Sequence, residues 1–185
     1  PLYSSAASDV YKRQMHPSTT NASGNITLTT SGHSQLKGST TAGQSLAVSA
    51  GSLANHGALA AVADTRINTG IFSNTGTVQG NSLTVSGTDI TSSGALKSAS
   101  TLDIRADNAT LSGETGAKGK TTVTASGNLN NSGTLISDDT LTLNAAQIVN
   151  SGTLSGVRGL TTSGKTFTAS ATSVTQSDGD VALNN

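Results

Sequence analysis

Cysteine is absent from the 185 residues, which excludes disulfides and thiolate sites and fits an exported chain that stays unfolded until it reaches its destination. Proline occurs only at Pro1 and Pro17, so from Ser18 to Asn185 every residue can donate its backbone N–H to a neighbouring strand. Aromatic residues make up 2% and charged residues 11% of the chain, both below ordinary globular usage. Basic and acidic residues number 10 each, for a formal net charge of zero. That balance supplies no electrostatic footprint for nucleic acid or an anionic membrane surface. No apolar run approaches the roughly 20 residues that span a bilayer, and the chain does not open on a signal peptide.

Ser, Thr, Gly, Asn and Ala fill the space left by these absences. Such a composition suits a flexible linker, but its Leu, Ile and Val recur with a period. Gly57, Gly76, Gly94, Gly113, Gly133 and Gly152 follow one another at steps of 19, 18, 19, 20 and 19 residues. Their surroundings repeat in Leu53-Ala-Asn55-His-Gly57-Ala-Leu59, Leu129-Asn-Asn131-Ser-Gly133-Thr-Leu135 and Ile148-Val-Asn150-Ser-Gly152-Thr-Leu154. Phe72-Ser-Asn74-Thr-Gly76-Thr-Val78 is a further, shifted copy. A unit this short cannot bury an apolar face alone, so it must stack on its neighbours as a solenoid.

The first residues stand apart. Ser4 to Gln14 resembles the conceptual translation, in one reading frame, of a transposase-type sequencing adapter. Residues 1–20 are therefore set aside as an adapter-derived or disordered tail. Residues 21–185 form the repeat segment, read as a fragment of a longer protein in which Met15 need not be a start. Both tyrosines, Tyr3 and Tyr11, fall in the excluded stretch, leaving Phe72 and Phe167 as the aromatics of the repeat.

Within each period lies an alternating apolar pair: Ile26/Leu28, Leu46/Val48, Leu83/Val85, Leu102/Ile104, Leu141/Leu143 and Val181/Leu183. Alternation with period two is a strand with one face buried. A second inward point follows at Leu53, Ile90, Leu129 and Ile148, and a third at Leu59, Val78, Leu96, Leu135 and Leu154. Three apolar contacts per turn and no helical stripe predict an all-β fold, a parallel β-helix of about 19–20 residues per coil. Parallel crossovers favour the right-handed form.

Asn131 and Asn150 share parity with their flanking leucines, so they point inward at a corner, where amides can form a ladder from rung to rung. The repeat positions carrying this structural role are Asn55, Gly57, Asn74, Gly76, Gly94, Gly113, Asn131, Gly133, Asn150 and Gly152. The glycine two residues after each Asn provides either positive φ or a close approach of backbones. Residues 60–70 and 155–170 break the period, which predicts an over-long corner at Ala60 to Ala63 and a loose turn at Gly156 to Lys165.

The phrases Gly127-Asn-Leu-Asn-Asn-Ser-Gly-Thr-Leu135 and Ile148-Val-Asn-Ser-Gly-Thr-Leu154 resemble the haemagglutinin repeats of filamentous haemagglutinin and of contact-dependent growth-inhibition exoproteins. The likeness covers roughly Asn21 to Asn185. It implies a right-handed β-helical shaft of a large adhesin or exoprotein, secreted or at the surface of a Gram-negative bacterium. It also implies an outer-membrane barrel transporter as secretion partner, and a receptor on a host or neighbouring cell met through other regions. Neither the secretion domain nor a toxin domain is visible in these residues.

Two other readings compete. The Thr/Ser-rich faces could bind glycans or proteins directly, or the coil could carry a polysaccharide lyase or glycosidase site. The latter needs two carboxylates about 5–10 Å apart, for which only Asp89, Asp107 and Asp103 would approach on adjacent rungs. Asp138-Asp139 and Asp178-Gly-Asp180 lack the glycine-rich calcium repeat, and His16, His33 and His56 share no metal-binding spacing. His56 occupies the variable slot before Gly57 and should face solvent. Gly116-Ala-Lys-Gly-Lys120 lacks the phosphate-loop pattern and reads as a flexible basic hairpin. No catalytic, cofactor or metal residue is assigned, and the chain is expected to be a mechanical element rather than an enzyme.

Overall fold

The computed structural model describes residues 14–16 and 19–185. The adapter-like segment lies outside the described residues except for Gln14. The described residues contain twenty strands and no helix, and every strand pairing is parallel. Each residue pairs with the one about 19 positions on, as in Leu53 with Phe72 and Leu83 with Leu102. The chain is thus a β-solenoid whose path turns from face to face and whose successive coils are hydrogen-bonded.

Each coil has three faces. The first runs through residues 26–30, 46–50, 65–69, 82–86, 101–106, 121–125, 140–144, 159–163 and 180–184. The second stacks residues 14–16, 33–36, 52–55, 71–74, 89–92, 108–111, 128–131, 147–150 and 166–169. The third stacks residues 20–22, 39–42, 58–61, 77–80, 95–98, 114–117, 134–137, 153–156 and 174–176. Nine rungs at about 4.8 Å each make a rod roughly 40 Å long.

Alternation along each strand sends every second side chain inward, and the register stacks like on like. One column of the first face reads Val48, Ile67, Val85, Ile104, Val123 and Leu143, all buried. On the second face the column Leu53, Phe72, Ile90, Ala109, Leu129 and Ile148 is buried, and on the third so is Leu59, Val78, Leu96, Thr115, Leu135 and Leu154. These columns form one continuous core.

The two stretches expected to break the coil do not. Asp64–Asn74 is a regular strand whose first-face inward residues are Thr65, Ile67 and Thr69, and Gly159–Ser163 is another, with Leu160 and Thr162 inward. Threonine hid both from the hydrophobic pattern: its β-branched side chain occupies an inward slot while counting as polar. The expected basic hairpin is likewise corrected. Glu114–Ala117 is a strand of the third face, and Lys118 and Gly119 only turn the corner into Thr121–Asn131.

The glycine column shows why those positions carry no side chain. A Cβ built on Gly57, Gly76, Gly94, Gly113, Gly133 or Gly152 would fall inside the contact distance of a backbone oxygen one rung below. For Gly76 that oxygen belongs to Gly57, and for Gly94 to Gly76. None of the six has a φ in the left-handed region. The requirement is close approach of two backbones at the corner, not an unusual torsion.

Candidate functional surface

The corner between the second and third faces holds the asparagines. Asn55, Asn74, Asn131 and Asn150 are buried, although they turn a corner where backbone groups would otherwise be stranded. Asn55 Nδ2 donates to Asn74 Oδ1 at 2.8 Å and to the Thr77 carbonyl at 3.1 Å. Asn74 Nδ2 donates to Ser92 Oγ at 3.0 Å and to the carbonyls of Gly76 and Ala95. In a second run, Asn131 Nδ2 donates to Asn150 Oδ1 at 2.9 Å and to the Thr153 carbonyl at 3.1 Å. Asn150 Nδ2 continues to the Val174 carbonyl and Thr175 Oγ1.

Leu111 occupies the same column between Ser92 and Asn131, so the ladder is two ladders. Below Asn131 there is no donor, and its Oδ1 is buried without a hydrogen-bond partner. Outside the corner, hydroxyls repeat the pattern: Thr75, Ser112 and Ser151 each donate to the carbonyl one rung below. His56 is exposed in this outer column, with Nδ1 2.8 Å from Thr75 Oγ1. His33 Nδ1 lies 2.8 Å from Ser52 Oγ on the second face.

The acidic residues are dispersed by the register. Asp89 pairs across rungs with Asn108, not Asp107, and accepts from Asn108 Nδ2 at 3.1 Å. Asp107 accepts from Ser126 Oγ at 2.9 Å, and Asp103 holds the Arg105 guanidinium at 2.7 Å. That pairing pushes the Arg105 pKa up, first through the hydrogen bond to Asp103 and then through its charge. Asp138 is exposed and Asp139 half-buried at the corner after Thr134–Ser137. Asp178 and Asp180 are exposed in the last coil. Among the described residues no three of His, Asp or Glu converge as a metal site would require.

One concavity stands out. A groove of about 660 Å³ runs along the outer side of the third face, lined by Val62, Gln79, Lys97, Gly116, Lys118 and Ile136 among others. Register explains it: Gly116 sits in the outward column between Lys97 and Ile136, so the middle of the groove has no side chain. Lys97 Nζ bonds the Glu114 carboxylate across adjacent rungs, and both are exposed. The hydrogen bond from Lys97, and then its charge, hold the Glu114 carboxyl below its ordinary pKa of 4.5. Sequence reasoning missed this groove because outward neighbours are known only once the register is; Lys97 and Glu114 are 17 apart, off the 19-residue step. A second, shallower hollow of about 480 Å³ follows the corner between the first and second faces, with Arg105 and Asp107 on its wall.

No helix among the described residues is long and apolar enough to cross a membrane. No family model matches the chain, and no solved structure matches it. Curated relatives do. It is 57% identical over 165 residues to "Toxin CdiA" of Escherichia coli, a match covering 89% of this chain and 5% of the relative. It matches "tRNA nuclease CdiA" of Escherichia coli O6:K15:H31 (strain 536 / UPEC) with the same identity and coverage. A third relative, "tRNA nuclease CdiA" of strain STEC_O31, is 58% identical over 49 residues, 26% of this chain and 2% of the relative.

These names overturn the expectation that the protein is not an enzyme, because two of the relatives are named as nucleases. That expectation was drawn from the repeat alone, and the repeat spans about one twentieth of the longer relatives. The chain is a homologue of a segment of the CdiA proteins.

Proposed function

We propose that residues 21–185 are a length of β-solenoid shaft within a contact-dependent growth-inhibition exoprotein of the CdiA kind. The observation that carries this reading is the uninterrupted stacking of inward columns over nine rungs, in a chain homologous to about 5% of much longer toxins. Rung-to-rung hydrogen bonds along every face make such a rod stiff lengthwise, and stacking lets each new coil template the next during export.

In this role the shaft is displayed at the surface of a Gram-negative cell after passage through an outer-membrane barrel partner. It holds the receptor-binding and toxin regions of the exoprotein, including a nuclease of the sort its relatives are named for, at a distance from that surface. The test is an in-register excision of residues 57–132 from the exoprotein, which puts Gly133 in the place of Gly57 and removes four coils, about 19 Å. Surface display and inhibition of target cells in co-culture should both survive. Normal display with loss of target-cell attachment would instead make the faces themselves a recognition surface.

A further inference from the structure

We infer that the coil formed by residues 108–125 is a built-in weak rung, the place where the interior of this solenoid opens first. Three independent features meet there. The first is its core. At the leading inward position of each face, the coils on either side carry Ile90 and Leu129, Leu96 and Leu135, Leu102 and Leu141. This coil carries Ala109, Thr115 and Thr121 in the same three columns, all buried. On the second face Leu111, between Ser92 and Asn131, offsets Ala109, but on the first and third faces the coil buries less apolar surface against both neighbours, and burial is the main force holding a coil in the stack.

The second feature is polar. Among the described residues three buried side-chain atoms lack a hydrogen-bond partner; one, Thr115 Oγ1, belongs to this coil, and another, Asn131 Oδ1, lies on the next coil facing Leu111, where the asparagine ladder is interrupted. A buried polar atom without a partner gains one when the structure opens to water, so each biases the local equilibrium toward opening. The third is the outer surface. The groove of the third face lies over this coil, where Gly116, in the outward column between Lys97 and Ile136, has no side chain to shield the backbone from solvent. Small residues inside and glycine outside thin the same wall.

Repeat arrays transmit stability only through nearest-neighbour interfaces. A coil weak on both interfaces consequently divides the rod into two stiffer blocks, one carrying the Asn55–Asn74–Ser92 ladder and one the Asn131–Asn150 ladder. Under load or during threading, the shaft would yield between them.

Amide hydrogen exchange followed by mass spectrometry on the 185-residue chain tests this. Amides of residues 109–123 should exchange about tenfold faster than those of the flanking interior coils, residues 90–104 and 129–143. Thr115→Val, which replaces the stranded hydroxyl with a methyl group, should slow exchange in residues 109–123 several-fold and leave residues 53–67 unchanged. Thr115→Leu, which restores the column of Leu96 and Leu135, should slow it further. Equal exchange in the three coils, whether all protected or all unprotected, overturns the inference. So does a Thr115→Val chain that exchanges no more slowly than the parent.

Discussion

Replacing Gly94 by alanine isolates the constraint that shapes the solenoid corner. The added Cβ would fall within contact distance of the Gly76 carbonyl and of the Thr75 carbonyl carbon, both backbone, so no rotamer change relieves the clash. The rungs must part, and two hydrogen bonds hold them there: Ala95 N–H to the Gly76 carbonyl at 2.9 Å and Gly94 N–H to the Asn74 carbonyl at 3.1 Å. Losing both costs about 1 kcal/mol each, with about 1–3 kcal/mol more where a buried group is left without a partner. Against this, alanine stabilises by about 0.4–1 kcal/mol through the unfolded chain. The net expectation is a loss of about 2–4.5 kcal/mol, or roughly 10 °C in Tm for a chain of this size.

Gly24→Ala is the control, because a Cβ there meets nothing within 4 Å, and it should leave Tm unchanged or slightly raised. Thermal melts by far-UV circular dichroism on both variants and the parent decide the matter. If Gly94→Ala melts with Gly24→Ala, close backbone approach is not what keeps glycine in the column.

Further outcomes follow from the ladder and the groove. Asn74→Ala should destabilise the chain by about 2–4 kcal/mol in urea titrations, because it removes the acceptor of Asn55 and the donor to Ser92. Asn131→Ala should cost less, since its Oδ1 already has no partner; equal losses would contradict the reading of the interrupted ladder. Lys97→Ala should raise the Glu114 pKa toward its ordinary value in a side-chain carboxyl NMR titration. Because the folded carboxyl is held down, its contribution to stability is present above pH 4.5 and is lost as pH falls through the depressed folded value. Both partners are exposed, so Lys97→Ala should barely move Tm at neutral pH.

Much of this architecture is legible in one dimension, for a physical reason. When every coil packs only on the next, the tertiary contact is a fixed sequence offset, and inward positions announce themselves as periodic Leu, Ile and Val. Leu83/Val85 and Leu141/Leu143 are of this kind, and so is the parity that turns Asn131 and Asn150 inward. The offset fails where the inward residue is threonine. Thr65, Thr115, Thr121 and Thr162 are all buried, yet composition cannot separate them from the threonines outside, and three coils consequently read as irregular or went unseen.

What the sequence by itself determined is the period, the all-β coil, the inward leucine and asparagine columns, and the likeness to growth-inhibition exoproteins. What only the tertiary structure decided is register. Register shows that Asp89 faces Asn108 rather than Asp107, that Leu111 splits the asparagine ladder, and that Gly116 opens a groove beside Ile136. Corners between the first and second faces hold one or two residues, as at Gly51 and at Ser126-Gly127, and a difference of one residue moves every outward neighbour. Inward positions survive that ambiguity because burial selects them; outward positions are selected by no such force, and become known only when the coils are stacked.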